Sequence, residues 1–252
     1  MELPRTPSMR LTGKHALVAG ASRGIGLAIA AALAEAGANV TLAARSEALL
    51  KKVVTALRAE GKNAHALALD VTDTDAVRRA VSDLAPLDIL VNSTGLARHG
   101  PALDTDPQDF DAVMNVNLRA AYFLAQSAAR AMQGRGGSIL TVSSQMGHVG
   151  GVDRAVYSAS KHAIEGMTKA MAIEFGPQNI RVNTLCPTFI RTPLTEATFA
   201  DPEKRAWIES KIKLNRVGTE ADIMGPAVFL CSDAAEMITG THLLIDGGWT
   251  AG

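Results

Sequence analysis

Short apolar runs alternate with longer stretches of helical periodicity along most of this chain. Apolar residues recur at i, i+3 and i+4 in several helical segments, among them 25–36, 48–59, 110–132 and 158–175. Seven β-prone apolar runs predict strands at 15–19, 40–43, 64–69, 89–91, 138–142, 181–185 and 242–245. Alternating strands and helices, with nearly continuous apolar strands, predict a parallel sheet covered on both faces. We therefore predict one doubly wound α/β domain over residues 1–252.

The alternation breaks between residues 188 and 213. This segment is rich in threonine and charge and contains Phe199 and Trp207. A long insertion of this kind in a compact domain usually forms a lid or a binding segment. We expect it to cover a substrate.

Composition narrows the possible partners. The chain has 252 residues, 25 basic and 25 acidic, so its formal net charge is zero and nucleic acid or an anionic membrane is not an expected partner. We expect a cytoplasmic protein, since no leader-like or membrane-spanning apolar run is evident. Cys186 and Cys231 lie in apolar segments without partners at metal-ligand spacing, so we interpret them as reduced core residues and predict no metal site.

A glycine-rich turn follows the first predicted strand and leads directly into the first helix. In a βαβ unit such glycines allow a tight turn and close approach to a pyrophosphate, which the helix N-terminus then binds. The pattern predicts a Rossmann-type dinucleotide site. Its candidate residues are Gly20, Ser22, Arg23, Gly24, Ile25 and Gly26.

The end of the second strand indicates which dinucleotide is bound. A fold that prefers NAD usually places an acid there, but this chain has Ala44 followed by Arg45. Arg45 and Arg23 could bind a ribose 2′-phosphate through charge-assisted hydrogen bonds, which predicts NADP(H). Further candidates at the ends of the third and fourth strands are Asp70 and Val71, beside the adenine, and Asn92 and Gly95.

One tyrosine carries the candidate chemistry. Tyr157 is followed four residues later by Lys161, so the two share a helix face, and Ser144 leaves a strand thirteen residues before Tyr157. Hydride transfer to a carbonyl creates an alkoxide, which needs a proton donor and a second hydrogen-bond donor. Tyr157 and Ser144 could supply these, and the cation of Lys161 favours the phenolate.

These motifs together resemble the short-chain dehydrogenase/reductase family over essentially the whole chain. The carriers are the glycine turn, Asn92-Ser93-Thr94-Gly95, Asn117, Ser144, Tyr157 and Lys161. The resemblance implies that Asn117 completes a catalytic tetrad and holds a water between Lys161 and solvent. It also implies that Lys161 binds the nicotinamide ribose. Pro187, Ile190 and Thr192 are expected at the nicotinamide, and a homotetramer is expected through the two long helices and the last strand.

The substrate is less clearly indicated. Gln145, His148 and Arg154 are candidates for orienting a polar substrate, and His99 is a fourth. One hypothesis is a sugar acid or polyol, as for gluconate 5-dehydrogenases, and the other is a 3-oxoacyl thioester on a carrier protein. Carrier proteins are acidic, and residues 176–180 contain no lysine or arginine, which favours the small molecule. A non-enzymatic NADP-binding regulator is the alternative of another class, although such proteins commonly lose the tyrosine or the lysine.

Overall fold

A single parallel sheet forms the centre of the computed structural model, which describes residues 1, 3–193 and 195–252. The strands lie in the order β3-β2-β1-β4-β5-β6-β7, and every neighbouring pair is parallel. Their bounds are β1 His15–Ala19, β2 Asn39–Ala44, β3 Ala64–Ala68, β4 Ile89–Asn92, β5 Gly137–Val142, β6 Ile180–Pro187 and β7 His242–Ile245. The predicted α/β class, strand number and parallel arrangement are confirmed.

Nine α-helices connect and cover the strands in the described part of the chain. They are α1 Gly24–Glu35, α2 Glu47–Ala59, α3 Thr74–Asp83, α4 Pro107–Met114, α5 Ala121–Met132, α6 Ala155–Phe175, α7 Glu196–Phe199, α8 Pro202–Lys211 and α9 Glu220–Cys231. A π-helical segment, Asn115–Ala120, joins α4 to α5 in one continuous rod. None of these helices has both the length and the apolar character needed to cross a membrane.

Local capping explains why some helix bounds differ from the periodic pattern. The rod was predicted from residue 110 but begins at Pro107, because the Asp106 side chain accepts the Gln108 backbone N–H and proline suits the first helical position. Helix α9 was not predicted. It is apolar on most of its surface and contains Pro226, so it lacks a clear amphipathic period, and a capping box of Thr219 and Asp222 begins it.

Two apolar cores lie on opposite faces of the sheet. Leu17 and Val18 are consecutive in β1, so their side chains point to opposite faces and enter different cores. The core on the Val18 side packs α1, α2 and α9, and the core on the Leu17 side packs α3, α5 and α6. Burial on both faces is what the nearly continuous apolar strands indicated.

The segment predicted as a lid contains α7 and α8 and has a small core of its own. Ile208, Ile212 and Val217 are buried there. Phe189 and Trp207 both pack on Trp249, with ring centroids 5.7 and 5.5 Å apart, which anchors the segment to the end of the chain. Leu194, within the predicted lid, lies outside the described residues.

The strand order reverses between β1 and β4. From β1 the chain continues to β2 and β3 on one side, whereas β4 to β7 follow on the other. At such a reversal the connections leave in opposite directions and open a crevice at the carboxyl ends of the strands. The predicted site residues follow the carboxyl ends of β1, β2, β3, β4, β5 and β6, so the fold gathers them at this edge.

Candidate active site

The turn after β1 packs directly on the turn after β4. Gly20 adopts φ +81°, and a Cβ at this position would lie 2.8 Å from the Ser93 carbonyl oxygen. A Cβ on Gly26 would collide with the carbonyl oxygen of Gly20. Both positions therefore need glycine, one for its left-handed conformation and both for close backbone approach.

The N-terminus of α1 suits an anion. Arg23 is its N-cap residue, and among the described residues no side chain caps the helix and no acid lies in its first turn. Helices α2 and α3, by contrast, are capped by Ser46 and Asp73. The uncapped N–H groups and the positive end of the helix dipole, beside the glycine turn that contains Ser22 and Ile25, fit a pyrophosphate.

Two exposed arginines lie near this turn. Arg23 stands within it and Arg45 directly follows β2, and in the described part of the chain neither forms an ion pair. The Asp70 carboxylate accepts the Thr72 backbone N–H and hydroxyl at 2.9 and 2.7 Å. These bonds are the main cause that lowers the pKa of Asp70, and the charge of Arg45 adds to them. Asp70 and Val71 thus lie on the same side of the crevice as Arg45.

Ser144, Tyr157 and Lys161 are brought to one place by β5 and α6. Lys161 is buried, and its ammonium donates to the carbonyl of Val142, the last residue of β5, at 3.0 Å. The same ammonium lies 5.7 Å from the Tyr157 ring centroid. Ser144 begins the turn after β5, where its Oγ accepts the Met146 N–H at 3.1 Å. The Lys161–Val142 bond therefore fixes α6 to the strand that Ser144 follows.

Asn117 connects the helical rod to the other elements of the site. It lies in the π-helical segment, where a widened turn is a frequent feature of functional sites. Its Oδ1 accepts the Leu96 N–H at 2.7 Å, and its Nδ2 donates to the Leu96 carbonyl and to Ser160 Oγ at 2.9 and 3.0 Å. Gly95 borders this network, because a Cβ there would lie 4.0 Å from Lys161 Nζ. The Asn92 side chain closes the same turn by accepting the Thr94 N–H and hydroxyl.

The segment expected at the nicotinamide folds back towards the glycine turn. It begins at Pro187, the end of β6, and Ile190 is buried. The Thr195 hydroxyl accepts the Thr192 N–H at 3.0 Å and donates to the Ile190 carbonyl at 2.6 Å. A Cβ on Gly24 would lie 3.7 Å from Thr192 Cβ, so this segment meets the glycine turn across the crevice.

Two basic side chains flank Tyr157. The His99 ring lies edge-on to the Tyr157 ring, with centroids 5.7 Å apart and planes at 83°. Burial lowers the pKa of the Arg154 guanidinium, while interaction with Tyr157 raises it. Burial is also the main cause that lowers the pKa of His99, and the nearby charge of Arg154 lowers it further. Arg154, His99 and Tyr157 thus form one cluster.

The other two substrate candidates are placed differently. Gln145 is only 1% exposed, and its Oε1 has no hydrogen-bond partner among the described residues. The His148 ring packs on His242 with centroids 4.0 Å apart, and its Nε2 lies 3.3 Å from Cys186 Sγ. Glu165, four residues after Lys161, also contacts this cysteine. No spacing pattern in the sequence predicts the grouping of His148, Glu165 and Cys186, because these residues come from three separate elements.

Comparison with known proteins decides the family. Residues 20–250 match a family model described as enoyl-(acyl carrier protein) reductase. The gluconate 5-dehydrogenase of Gluconobacter oxydans (strain 621H) is 38% identical over 245 residues, which cover 95% of this chain and 96% of that protein. The chain is a short-chain dehydrogenase/reductase.

Other relatives support the same assignment. The L-xylulose reductase of Bos taurus is 37% identical over 96% of this chain and 99% of that protein. A solved structure of a gluconate 5-dehydrogenase from Burkholderia cenocepacia J2315, in complex with NADP and tartrate, has a TM-score of 0.94 and 34% identity, covering 97% of this chain and 98% of that one. This short-chain dehydrogenase/reductase is therefore an oxidoreductase acting on CH–OH groups, as the resemblance implied.

The packing of the glycine turn predicts that Gly26→Ala lowers the thermal unfolding midpoint. The added methyl group forces the Gly20 carbonyl to shift, and overpacking of this kind costs about 1–3 kcal/mol. Gly166→Ala is the matched control, since Gly166 is also helical and no described atom lies within 4 Å of a Cβ there. The control should keep or raise the midpoint, and an unchanged midpoint for Gly26→Ala would contradict the close approach.

Proposed function

We propose that this short-chain dehydrogenase/reductase interconverts a secondary alcohol and a ketone on a small polar substrate, a sugar acid or polyol, with NADP(H). The observation that carries the substrate class is Arg154. This side chain is partly buried beside Tyr157 and forms no ion pair with another described residue. A partly desolvated guanidinium next to the reacting group fits a substrate carboxylate, which it can bind through two hydrogen bonds.

Each residue of the predicted catalytic tetrad has a separate role in the reaction. NADP(H) supplies or accepts the hydride when bound. In reduction the Tyr157 hydroxyl gives its proton to the developing alkoxide, and in oxidation the Tyr157 phenolate removes the proton from the alcohol. Ser144 donates a second hydrogen bond to the same oxygen, which stabilises its charge in the transition state. The ammonium of Lys161, 5.7 Å from the Tyr157 ring centroid, binds the nicotinamide ribose.

Asn117 supports this proton transfer without contacting the substrate. Its bonds to Leu96 hold the turn after β4 against the rod, and its bond to Ser160 reaches the catalytic helix. Because Ser160 Oγ donates to the Tyr157 carbonyl at 2.7 Å, this network also fixes the backbone of the tyrosine. We infer that Asn117 holds a water through which Lys161 exchanges protons with solvent.

The proposed preference for NADP(H) rests on the ribose end of the site. Arg23 and Arg45 offer two exposed guanidinium groups without internal partners, and Ala44 stands where an acid would repel a 2′-phosphate. The Burkholderia relative was solved with NADP. We assign the pyrophosphate to residues 20–26, the adenine side to Asp70 and Val71, the crevice floor to Asn92 and Gly95, and the nicotinamide to Pro187, Ile190 and Thr192.

The names of the relatives agree with a small polar substrate. They include a gluconate dehydrogenase and a xylulose reductase, and tartrate accompanies NADP in the Burkholderia structure. We propose that His99 contributes a second contact to the substrate beside Arg154, and that the Oε1 of Gln145 accepts a substrate hydroxyl. The segment 188–213 would close over this pocket as a lid. The ring of His148 contacts Cys186, so we propose for it only an indirect influence on the substrate.

A thioester on a carrier protein is a weaker candidate for the substrate, although the matched family model is named after a reductase that acts on acyl carrier protein. Docking an acidic carrier needs basic side chains near the entrance of the site. Arg135 is a basic residue shortly after α5. It pairs with Asp88 at 3.6 Å, at the amino ends of β4 and β5, opposite the active-site edge.

We also propose that the protein forms a homotetramer, and the groove between the rod and α6 supports this. A groove of about 760 Å³ lies between the rod and α6, lined mainly by apolar side chains such as Leu118, Phe123 and Met167. Tyr122 on the same surface is 43% exposed. An apolar groove of this size on two long helices fits the corresponding helices of a second copy. The cytoplasmic location also remains a prediction.

Tyr157→Phe is expected to abolish turnover while NADPH binding, measured by fluorescence titration, stays within about twofold. The change removes only the hydroxyl that transfers the proton. Tyr122→Phe is the matched control, because Tyr122 is the other tyrosine of the chain and lies on the outer surface. Residual turnover close to that of the control would contradict the proposed acid–base role, and loss of NADPH binding would show that the hydroxyl is structural.

Arg45→Ala is expected to weaken NADPH binding by about 10- to 100-fold, because a hydrogen bond to a charged group contributes about 1.5–3 kcal/mol. NADH binding should change by less than about twofold, since NADH lacks the 2′-phosphate. Arg79→Ala removes an exposed arginine on α3 and serves as the control for net charge. Equal weakening of both cofactors by Arg45→Ala would disprove the 2′-phosphate assignment.

The substrate class is tested with a keto-sugar acid and a neutral keto-sugar of the same chain length. Arg154→Ala should raise KM for the acid by about 10- to 100-fold and change KM for the neutral sugar little, because only the acid has a carboxylate. Arg98→Ala, which removes an exposed arginine paired with Asp109, is the control. Equal KM effects on both sugars, or fast turnover of a 3-oxoacyl thioester alone, would overturn the proposal.

A further inference from the structure

Three elements bring a histidine, a glutamate and a cysteine together behind the catalytic residues. His148 lies at the end of the turn after β5, Glu165 in α6 and Cys186 in β6. The Cys186 Sγ is 3.3 Å from His148 Nε2 and 3.4 Å from Glu165 Oε1, and His148 Nε2 is 3.9 Å from Glu165 Oε2. We call these three residues the His–Glu–Cys cluster.

The separations match those of ligands around one metal ion. Zinc binds sulfur at about 2.3 Å and nitrogen or oxygen at about 2.0–2.2 Å, so tetrahedral ligand atoms lie about 3.3–3.6 Å apart. The separations of 3.3 and 3.4 Å lie within this range, and the one of 3.9 Å, which involves the other carboxylate oxygen of Glu165, lies slightly above it. A single ion therefore fits between the three side chains with shifts of a few tenths of an ångström.

The charge of the cluster also favours a cation. Glu165 is 6% exposed, and its only ion-pair partner among the described residues is the His148 imidazole at 3.9 Å. The Thr184 hydroxyl donates to Oε2 at 2.9 Å but brings no charge. A buried carboxylate is costly unless it is paired or coordinates a metal, and a divalent ion would supply the missing positive charge.

A second observation points to an additional occupant. Ser143 is 3% exposed, and apart from the thiol of Cys186 its Oγ has no hydrogen-bond partner in the described part of the chain. This hydroxyl borders the cluster, because a Cβ on Gly147 would lie 3.2 Å from Ser143 Oγ and 3.1 Å from Glu165 Cγ. Buried hydroxyls normally have a partner. When the Cys186 sulfur binds an ion, a water in the fourth position of that ion would provide the Ser143 hydroxyl with a partner.

We propose that His148 Nε2, the Glu165 carboxylate and Cys186 Sγ bind one zinc ion per chain. Imidazole and thiolate ligands select zinc or a similar transition metal over magnesium and calcium, which prefer oxygen ligands. His242 packs on the outer face of the His148 ring and supports its orientation. The three ligands come from the elements that carry Ser144, Lys161 and Pro187, so the ion ties these elements together.

Zinc titration of the chelator-treated full-length protein tests the proposal without reference to turnover. The wild type should bind one zinc per chain by elemental analysis, and its thermal unfolding midpoint should rise with zinc but not with magnesium, since a ligand of the native state stabilises it. Cys186→Ser should lose at least about 100-fold in zinc affinity. Loss of a residue that only contacts a metal ligand already lowers the affinity by about 10- to 100-fold, and Cys186 is proposed as a ligand itself. Cys231→Ser, at the other buried free cysteine, is the matched control and should behave as the wild type.

Cobalt substitution provides a spectroscopic check that does not depend on stability. Cobalt(II) bound to the wild type and to Cys231→Ser should show thiolate-to-metal charge-transfer absorption, and Cys186→Ser should lose it. If Cys186→Ser does not fold, Glu165→Gln, which keeps side-chain size, and His148→Gln, which keeps most of it, should each show the affinity loss instead. Failure of the wild type to bind zinc, or binding that is equal in Cys186→Ser, would overturn the proposal while leaving the proposed function untouched.

Discussion

Backbone contact between the turn after β1 and the turn after β4 is the constraint on which the site depends. At Gly26 a methyl group would displace the Gly20 carbonyl, and at Gly20 a methyl group would separate the two turns. Their contact sets where α1 begins, and therefore where its N–H groups point. It also sets where the chain leaves β4 towards Leu96 and the Asn117 network. This main-chain contact, together with the side-chain bonds of Asn117 and Lys161, holds the N-terminus of α1 in register with the end of the crevice that carries Tyr157.

Much of this arrangement could be predicted because its signals are local in sequence. The strands are short apolar runs between helical periods, the glycine turn is contiguous, and Tyr157 and Lys161 lie one helical turn apart. The reversal between β1 and β4 then brings these local signals to one edge. The roles of individual residues rest on chemistry and family resemblance and stay predictions, while the fold brings Ser144, Tyr157 and Lys161 to the end of β5 and the start of α6.

The features that sequence reasoning missed are those that depend on several elements at once. Helix α9 has no polar face to reveal its period, since it packs between the sheet and α1. The π-helical widening leaves no residue-type signature in a segment that otherwise follows a helical pattern. The His–Glu–Cys cluster joins positions 148, 165 and 186, and no spacing rule relates them until the sheet and α6 are assembled.

Helix α6 contributes residues both to the candidate active site and to the His–Glu–Cys cluster. Lys161 and Glu165 are four residues apart and therefore share a face, yet each contacts a different part of the neighbouring sheet. The lysine reaches the end of β5, and the glutamate reaches Thr184 and Cys186 in β6. A shift of this helix along its axis would disturb both centres together. A mutation in the His–Glu–Cys cluster can therefore affect turnover, and a mutation at the candidate active site can affect metal binding.

The widened turn at Asn115–Ala120 determines what the deletion of one residue near Asn117 would do to the rod. A π-helical turn accommodates one residue more than an α-helical turn, so α4 and α5 remain collinear although the residues between them are out of α-helical phase. Deleting one residue there would let the rod relax into regular α-helix. The faces of α4 and α5 would then keep their orientation, because the widened turn holds the one residue that a regular α-helix does not need. The widened turn itself carries Asn117, so the deletion would disturb the hydrogen bonds of Asn117 to Leu96 and Ser160 while sparing the packing of α5.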